Sequence, residues 1–128
     1  MRIVLEVDPR PQPRPRFSNG RVYTPKEICH YKEAIKNAAL RMMKEQPPLT
    51  GALHCAIRLW RKFQPTSRRF GDLDNLYKAI TDALIGICYK DDSQIVSAAI
   101  EKYHSKEPRL EVEITPAREG KALDDEGA

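Results

Sequence analysis

Asp72, Asp74 and Lys78 open one apolar-periodic stretch, Asp82 follows a turn later, and the pair Asp91-Asp92 comes after that stretch has ended. Carboxylates packed this closely repel one another, and a divalent cation is the strongest candidate to offset them. Mg²⁺ takes hard oxygen ligands in octahedral geometry, usually one or two carboxylates with water or phosphate filling the rest. Side chains two residues apart point the same way in extended chain but diverge inside a helix. Asp72 and Asp74 can therefore face one ion only if Asp72 lies just before a helix and Asp74 at its start. Gly71 permits unusual backbone angles at that point. Lys78 is four residues beyond Asp74, on the same helical face. It can reach a bound phosphate and offset charge developing in a transition state. Asp82, four residues further on, can hold Lys78 in place, and Asp91 or Asp92 would close the metal site from a loop.

Each of these residues also has a plain structural reading. Asp and Asn before an apolar helix are ordinary caps, Asp-Asp before a strand is an ordinary loop, and Lys78 with Asp74 or Asp82 is an ordinary surface ion pair. The three histidines, His30, His54 and His104, are scattered and read as structural. There is no Ser-His-Asp arrangement and no glycine-rich phosphate loop.

The charge is divided along the chain. Residues 1–70 carry a net +10 and residues 71–128 a net −6, giving +4 over 128 residues. A basic half reads as a phosphate-binding surface, and an acidic metal site inside a basic protein points to cleavage of a polyanion. The candidate phosphate contacts are Arg10, Arg14, Arg16, Arg21, Arg61, Lys62, Arg68 and Arg69. Arg10, Arg14 and Arg16 alternate with prolines in Pro9-Arg10-Pro11-Gln12-Pro13-Arg14-Pro15-Arg16. That composition favours a stiff, extended backbone holding guanidinium groups outward; a solvated linker has the same composition.

The elements that must position these groups follow from periodicity. Ile3 to Val7 reads as a short strand. Phe17 to Tyr23 reads as a hairpin about Asn19-Gly20, a pair suited to a type I′ turn. Thr24-Pro25-Lys26-Glu27 predicts a helix start, with Thr24 capping, Pro25 first in the helix and Glu27 closing a capping box. Ile28, Tyr31, Ile35, Ala38, Ala39 and Met42 form its apolar face, and Pro47-Pro48 stops it. Ala52 to Arg61 alternates, with Leu53, Cys55, Ile57 and Leu59 on the buried side. A second helix runs from Leu73, with Leu76, Tyr77, Ile80, Ala83, Leu84 and Ile87 apolar, to about Gly86. Strands follow at roughly Gln94 to Tyr103 and over Leu110 to Thr115. The order β, hairpin, α, β, α, β, β predicts one small α+β domain over residues 1–116, a mixed β-sheet with two helices packed on one face. Residues 117–128 are expected to be a disordered tail.

Cys29, Cys55 and Cys88 are far apart and form no CxxC pair. They argue against a zinc site or disulfide framework and for reduced, partly buried thiols. An acid at Glu6 argues against a signal peptide, and no apolar run is long enough to span a membrane. The expectation is a soluble, cytoplasmic protein.

Asp72-Leu73-Asp74-Asn75-Leu76, Lys78, Asp82-Ala83-Leu84 and Asp91-Asp92-Ser93-Gln94-Ile95 together resemble the RusA family of Holliday junction resolvases. The pattern is D-L-D-N-x-x-K, a helix, then D-D-x-Q-[IV]. The Pro-Arg-Pro-Arg-Phe segment and Tyr23-Thr24-Pro25 also look like this family's amino-terminal region, and the resemblance spans roughly residues 3–115. It implies a small homodimeric α+β endonuclease, of a family frequent in phages and prophages, that uses Mg²⁺, with Mn²⁺ as a substitute, to cut four-way DNA junctions. The family's metal-binding aspartates fall on Asp72, Asp74 and Asp92, with Asp91 adjacent, and its catalytic lysine on Lys78. Some members carry a basic residue immediately before the first aspartate. Here Gly71 stands there after Phe70, and Arg68 and Arg69 are the nearest substitutes. The competing expectations are a nuclease of broader taste for flaps and branched DNA, and a non-catalytic DNA-binding protein whose aspartates are only caps.

Overall fold

A computed structural model describes residues 1–13, 16–18, 21–23 and 25–117. The elements are β1 (Arg2–Leu5), β2 (Arg16–Ser18), β3 (Arg21–Tyr23), α1 (Lys26–Met43), β4 (Leu53–Arg61), α2 (Leu73–Leu84), a 3₁₀ turn (Asp92–Gln94), β5 (Ile95–His104) and β6 (Arg109–Pro116). Four strands form one sheet in the order β1-β6-β4-β5, and β2 pairs with β3 as a separate hairpin. β5 runs parallel to β4, whereas β6 is antiparallel to both β4 and β1. This is the expected mixed sheet with two helices in a small α+β domain. The Asn19-Gly20 turn, Arg14, the Thr24 cap and the tail beyond Ala117 lie outside the described residues, as do the side chains of Arg16 and Arg21.

Alternation decides which face of the sheet is covered. Leu53, Cys55, Ile57 and Leu59 are all buried, and Cys55, Ile57 and Leu59 stand opposite the buried Ile114, Val112 and Leu110. Ile3 of β1 continues the row against Val112. Against it pack Ile28, Tyr31, Ile35, Ala38, Ala39 and Met43 of α1, with Leu76, Ala79, Ile80, Thr81, Ala83 and Leu84 of α2. Each fully buried Leu or Ile stabilises by about 1.5–3 kcal/mol. An exposed pair such as Arg58–Glu101 on the opposite face contributes about 0.5 kcal/mol. The core therefore holds the sheet, and the surface ion pairs add little.

Several boundaries differ from the sequence reading, beginning with β1, which runs over Arg2–Leu5 rather than Ile3 to Val7. α1 begins at Lys26, with Pro25 in the cap position and no side-chain cap bond, so Pro25 is not its first helical residue. Met43 rather than Met42 closes the apolar face: Met42 is exposed, and the chain leaves the helix through left-handed Lys44 and Glu45. α2 ends at Leu84, so Ile87 packs on the core from the following turn rather than from the helix. The last strand-like residue before β5, Gln94, belongs instead to the 3₁₀ turn.

Arg61 is the largest correction. Expected as a DNA contact, it is only 6 % exposed. Its Nε and Nη2 donate to the two carboxylate oxygens of Asp8 at 2.9 and 3.2 Å, and its Nη1 donates to the carbonyls of Arg69 and Phe70 at 3.1 and 2.7 Å. The guanidinium also lies 4.9 Å from the Phe63 ring centre and 5.8 Å from that of Phe70. Four of its five N–H groups are thus spent inside the protein. The clamp ties the segment after β1 to the loop before α2.

Arg61→Met strands the Asp8 carboxylate and two loop carbonyls. The expected loss is about 2–3 kcal/mol, toward the low end for breaking a buried pair because Asp8 keeps contact with water, read as a lower urea midpoint. Arg58→Ala, on the exposed face, should cost less than about 1 kcal/mol. Burial pushes the Cys55 thiol up to about 12 and that of Cys88 up to about 11. A raised folded pKa favours the protonated thiol, so this contribution is intact below the ordinary thiol range and is lost as pH rises through 11 and 12. At neutral to mildly basic pH a disulfide reagent should titrate only the exposed Cys29 rapidly, and all three thiols after unfolding. Rapid reaction of Cys55 in the native state would contradict the packing of β4, and rapid reaction of Cys88 that of the turn after α2.

Candidate active site

The start of α2 is held from three sides before any chemistry is considered. Gly71 has φ +107°, and a Cβ there would meet Pro11 Cβ and Cγ at 3.1 Å, so only glycine lets the proline-rich segment pass this close. Gln12 N donates to Asn75 O at 2.8 Å, and Lys102 Nζ donates to Gly71 O at 3.0 Å from the far side. Lys102 also sits 5.2 Å from the Phe70 ring centre. Sequence reasoning passed over Lys102 and Gln12. Lys102 pairs with Leu59 and so shares the inward face of the sheet, a relation that strand periodicity alone does not reveal.

Asp72 occupies the N-cap of α2 in extended conformation, and Asp74 is the helix's second residue. This is the arrangement that lets side chains two apart turn toward one ion. Asp72 donates no capping service: its carbonyl accepts from Leu76 N at 3.0 Å, but its carboxylate makes no cap bond. Asp72 thus stands at the cap position with its carboxylate not spent on the helix. Asp74 Oδ1 accepts from Asn75 N at 2.9 Å. Both carboxylates are exposed. An open notch of about 540 Å³ at this point is lined by Pro11, Gln12, Arg68, Gly71, Asp72 and Asn75. It sets an arginine and a free carboxylate on one concave surface at a helix N-terminus, where anions are favoured.

Lys78 lies one turn along α2, exposed, with Nζ 3.7 Å from Asp82 Oδ2. Asp82 thus holds it as expected. Asp92 meets the helix here. Its carboxyl is raised above the ordinary range, first by desolvation, then by a hydrogen bond and repulsion from Asp91 and by repulsion from Asp82, with Lys78 opposing. Asp91 is different in kind. It caps the 3₁₀ turn by accepting from Ser93 N at 3.2 Å, and the hydrogen bonds it accepts hold its carboxyl below the usual range. Gln94 completes this capping box: its Oε1 accepts from Lys90 N and Asp91 N, and its Nε2 donates to the carbonyls of Leu49 and Gly51. The glutamine of the D-D-x-Q pattern is therefore a positioning residue for the acidic turn. Its spacing from Asp91 is the capping-box spacing.

The carboxylates do not form one cage. Among the described residues no three His, Cys, Asp or Glu side chains converge as a metal-holding group. The reason is topological. α2 is the crossover joining parallel β4 and β5, so it runs back along the sheet. Its start lies by the end of β4, and its later turns lie by the start of β5, where Asp92 enters. Eight residues of helix separate Asp74 from Asp82, about 12 Å along the axis. The acids form a ridge with Asp72 and Asp74 at one end, Asp82 and Asp92 at the other, and Lys78 between.

Among the expected DNA contacts, Arg68, Arg69 and Lys62 are exposed on the loop before α2, and Arg10 is half-buried beside them. Another cavity, about 870 Å³, lies elsewhere, at the β5–β6 turn beside Trp60 and Arg109. Its Glu111 is already paired with Arg2, Arg58 and Arg109, and none of the ridge carboxylates lines it. Among the described residues no helix is long and apolar enough to cross a membrane.

The donor set on the ridge, carboxylate oxygens with a neighbouring lysine, fits a hard divalent cation and a phosphate. The chain is 31 % identical to the uncharacterized protein YqaN of Bacillus subtilis (strain 168), over 89 % of this chain and 94 % of that protein. The family model described as endodeoxyribonuclease RusA matches residues 6–115, a span that contains the whole ridge, the capping glutamine and the clamped loop, and the chain belongs to the RusA endodeoxyribonuclease family.

Proposed function

We propose that this protein is a Mg²⁺-dependent endodeoxyribonuclease that resolves four-way DNA junctions by paired phosphodiester hydrolysis in a homodimer. The observation that carries the reading is Asp72 at a helix N-cap with its carboxylate unspent, beside Asp74, one turn before Lys78 and on a notch shared with Arg68. A protein that used these acids only as caps would spend the Asp72 carboxylate on the helix, as Asp91 is spent on its turn.

Asp72 and Asp74 would supply the two carboxylates that Mg²⁺ commonly takes, and Mn²⁺ suits the same oxygens; Asp92, beside Asp82 at the other end of the ridge, does not share that ion in this arrangement. When bound, the ion supplies an activated water and charge neutralisation at the phosphate. The chain's own residues do the rest. Lys78, kept in place by Asp82, offsets charge on the phosphate or leaving oxygen. Arg68, on the same notch as Asp72, holds the strand by its phosphate. Gln94 and Asp91 fix the turn that presents Asp92.

Asp74→Asn is expected to abolish Mg²⁺-dependent cutting of a labelled four-way junction while binding stays equal or tightens, because a negative charge near the phosphates is removed. Lys78→Ala should slow single-turnover cutting at saturation by roughly 10²-fold. An Asp74→Asn protein that cuts at the normal rate would falsify the assignment. Comparing junction, flap and linear duplex substrates separates junction resolution from broader branched-DNA cutting.

The homodimer rests on substrate symmetry. Clean resolution needs two cuts on opposing strands, one chain offers one ridge, and a two-fold dimer is the commonest way to supply a second. Sedimentation at micromolar concentration should give a dimer. A monomer that stays single on the junction and nicks one strand would sink the symmetric mechanism.

A further inference from the structure

A second, smaller cavity lies on the other side of Pro11 from Asp72. Its volume is about 360 Å³, and its described walls include Arg10, Pro11, Arg61, Arg69 and the first turn of α1 at Pro25, Glu27 and Ile28. We propose that it is a subsite for one DNA phosphate, neighbouring the cleaved one on the same strand. The inference rests on the nuclease reading above and goes beyond it by assigning a particular phosphate to particular residues.

Four features of the cavity point the same way. Its walls are rich in donors: the guanidinium groups of Arg10 and Arg69, and the first backbone N–H groups of α1. Arginine forks match phosphate oxygens in pairs. α1 is 18 residues long, and its N-cap, Pro25, has no side-chain cap, so its leading N–H groups lack a side-chain acceptor from the cap position. The one carboxylate on the wall, Glu27, is exposed and outnumbered. The prolines at Pro11 and Pro25 contribute rigid, donor-free walls that fix the opening.

The two arginines are aimed by the buried clamp. Arg61 binds Asp8, two residues before Arg10, and the carbonyl of Arg69 itself. Arg69 N also donates to Ser67 Oγ at 3.1 Å. One buried guanidinium thus sets the backbone of both phosphate-binding residues, at no cost to their own side-chain donors. Why a neighbouring phosphate and not the cleaved one follows from Pro11, which lines both this cavity and the Asp72 notch. The consecutive residues Arg68 and Arg69 fall on the two sides of that wall. A DNA strand presents one phosphate per nucleotide at regular intervals, so adjacent notches with adjacent arginines match adjacent phosphates.

The test uses synthetic four-way junctions that carry a single neutral methylphosphonate at each successive position around the cut. Affinity is measured without Mg²⁺, for the unaltered protein and for the double variant Arg10→Gln, Arg69→Gln; Arg61 is left in place so that the clamp stays. For the unaltered protein, one position beside the cut should lose about tenfold in affinity, the size of a charge-assisted hydrogen-bond loss. In the double variant the same position should cost nothing further, because its partners are gone. An equal loss at that position in both proteins, or no sensitive position beside the cut in the unaltered protein, would overturn the subsite. The nuclease reading fails by a different result, the absence of Mg²⁺-dependent cutting of the unmodified junction. A protein that binds no junction at all would overturn both.

Discussion

The buried guanidinium of Arg61 is the contact on which the functional surface depends. Without it, the proline-rich segment after β1 and the loop between β4 and α2 would be two independent strings of charge. With it, Asp8 and the carbonyls of Arg69 and Phe70 converge on one group. Pro11 is then delivered against Gly71, and Gln12 against the first turn of α2. Burying an ion pair is a poor way to gain stability, since desolvation offsets most of the attraction. Here the return is positional: one charge orients two polypeptide segments that otherwise share no secondary structure.

The same economy explains why the acids form a ridge. A parallel pair of strands requires a crossover, and here the crossover is α2. An acid at its start and an acid arriving after it must lie about a helix length apart unless the chain doubles back. Lys78 occupies the middle of that span. Its pairing with Asp82 is worth little as a surface ion pair. Its value is that it keeps an ammonium group pointing along the ridge where a phosphate would lie. The carboxyl of Asp92 is raised first by desolvation and then by Asp91 and Asp82, whose negative potential there favours cations.

Much of this was legible in the residues and some was not, for identifiable reasons. The alternation of β4 and the periodicity of α2 gave the core because burial writes directly onto periods of 2 and 3.6. The cap position of Asp72 and the ion pair of Lys78 with Asp82 followed from spacing along one element. Arg61 was misread although its signal was present: it continues the inward row of Leu53, Cys55, Ile57 and Leu59, and was assigned to solvent only because of its charge. The separation of Asp92 from Asp72 depends on the direction of β5 relative to β4. Strand periodicity carries no information about pairing, so two groups joined by a sequence pattern were expected to touch. Asp91 was the opposite case, since its capping role was written in its spacing from Gln94.

The division of charge along the chain acquires a geometric meaning in the folded state. The basic first half contributes Arg10, Arg68 and Arg69 around Pro11, and the acidic second half contributes the ridge that begins at Asp72. At physiological salt the screening length is about 8 Å. Neither the net +10 of one half nor the net −6 of the other acts far across the molecule. What a DNA strand senses is the charge within a few ångströms of the surface it touches. Attraction and chemistry must therefore be adjacent, and the wall of Pro11 is where they meet: arginines on both sides of it, and a free carboxylate on one. On the proposed reading, a strand captured there would lie beside the acids without having to cross them, and a divalent cation would reverse the sign of the ridge only at the end where the strand is already held.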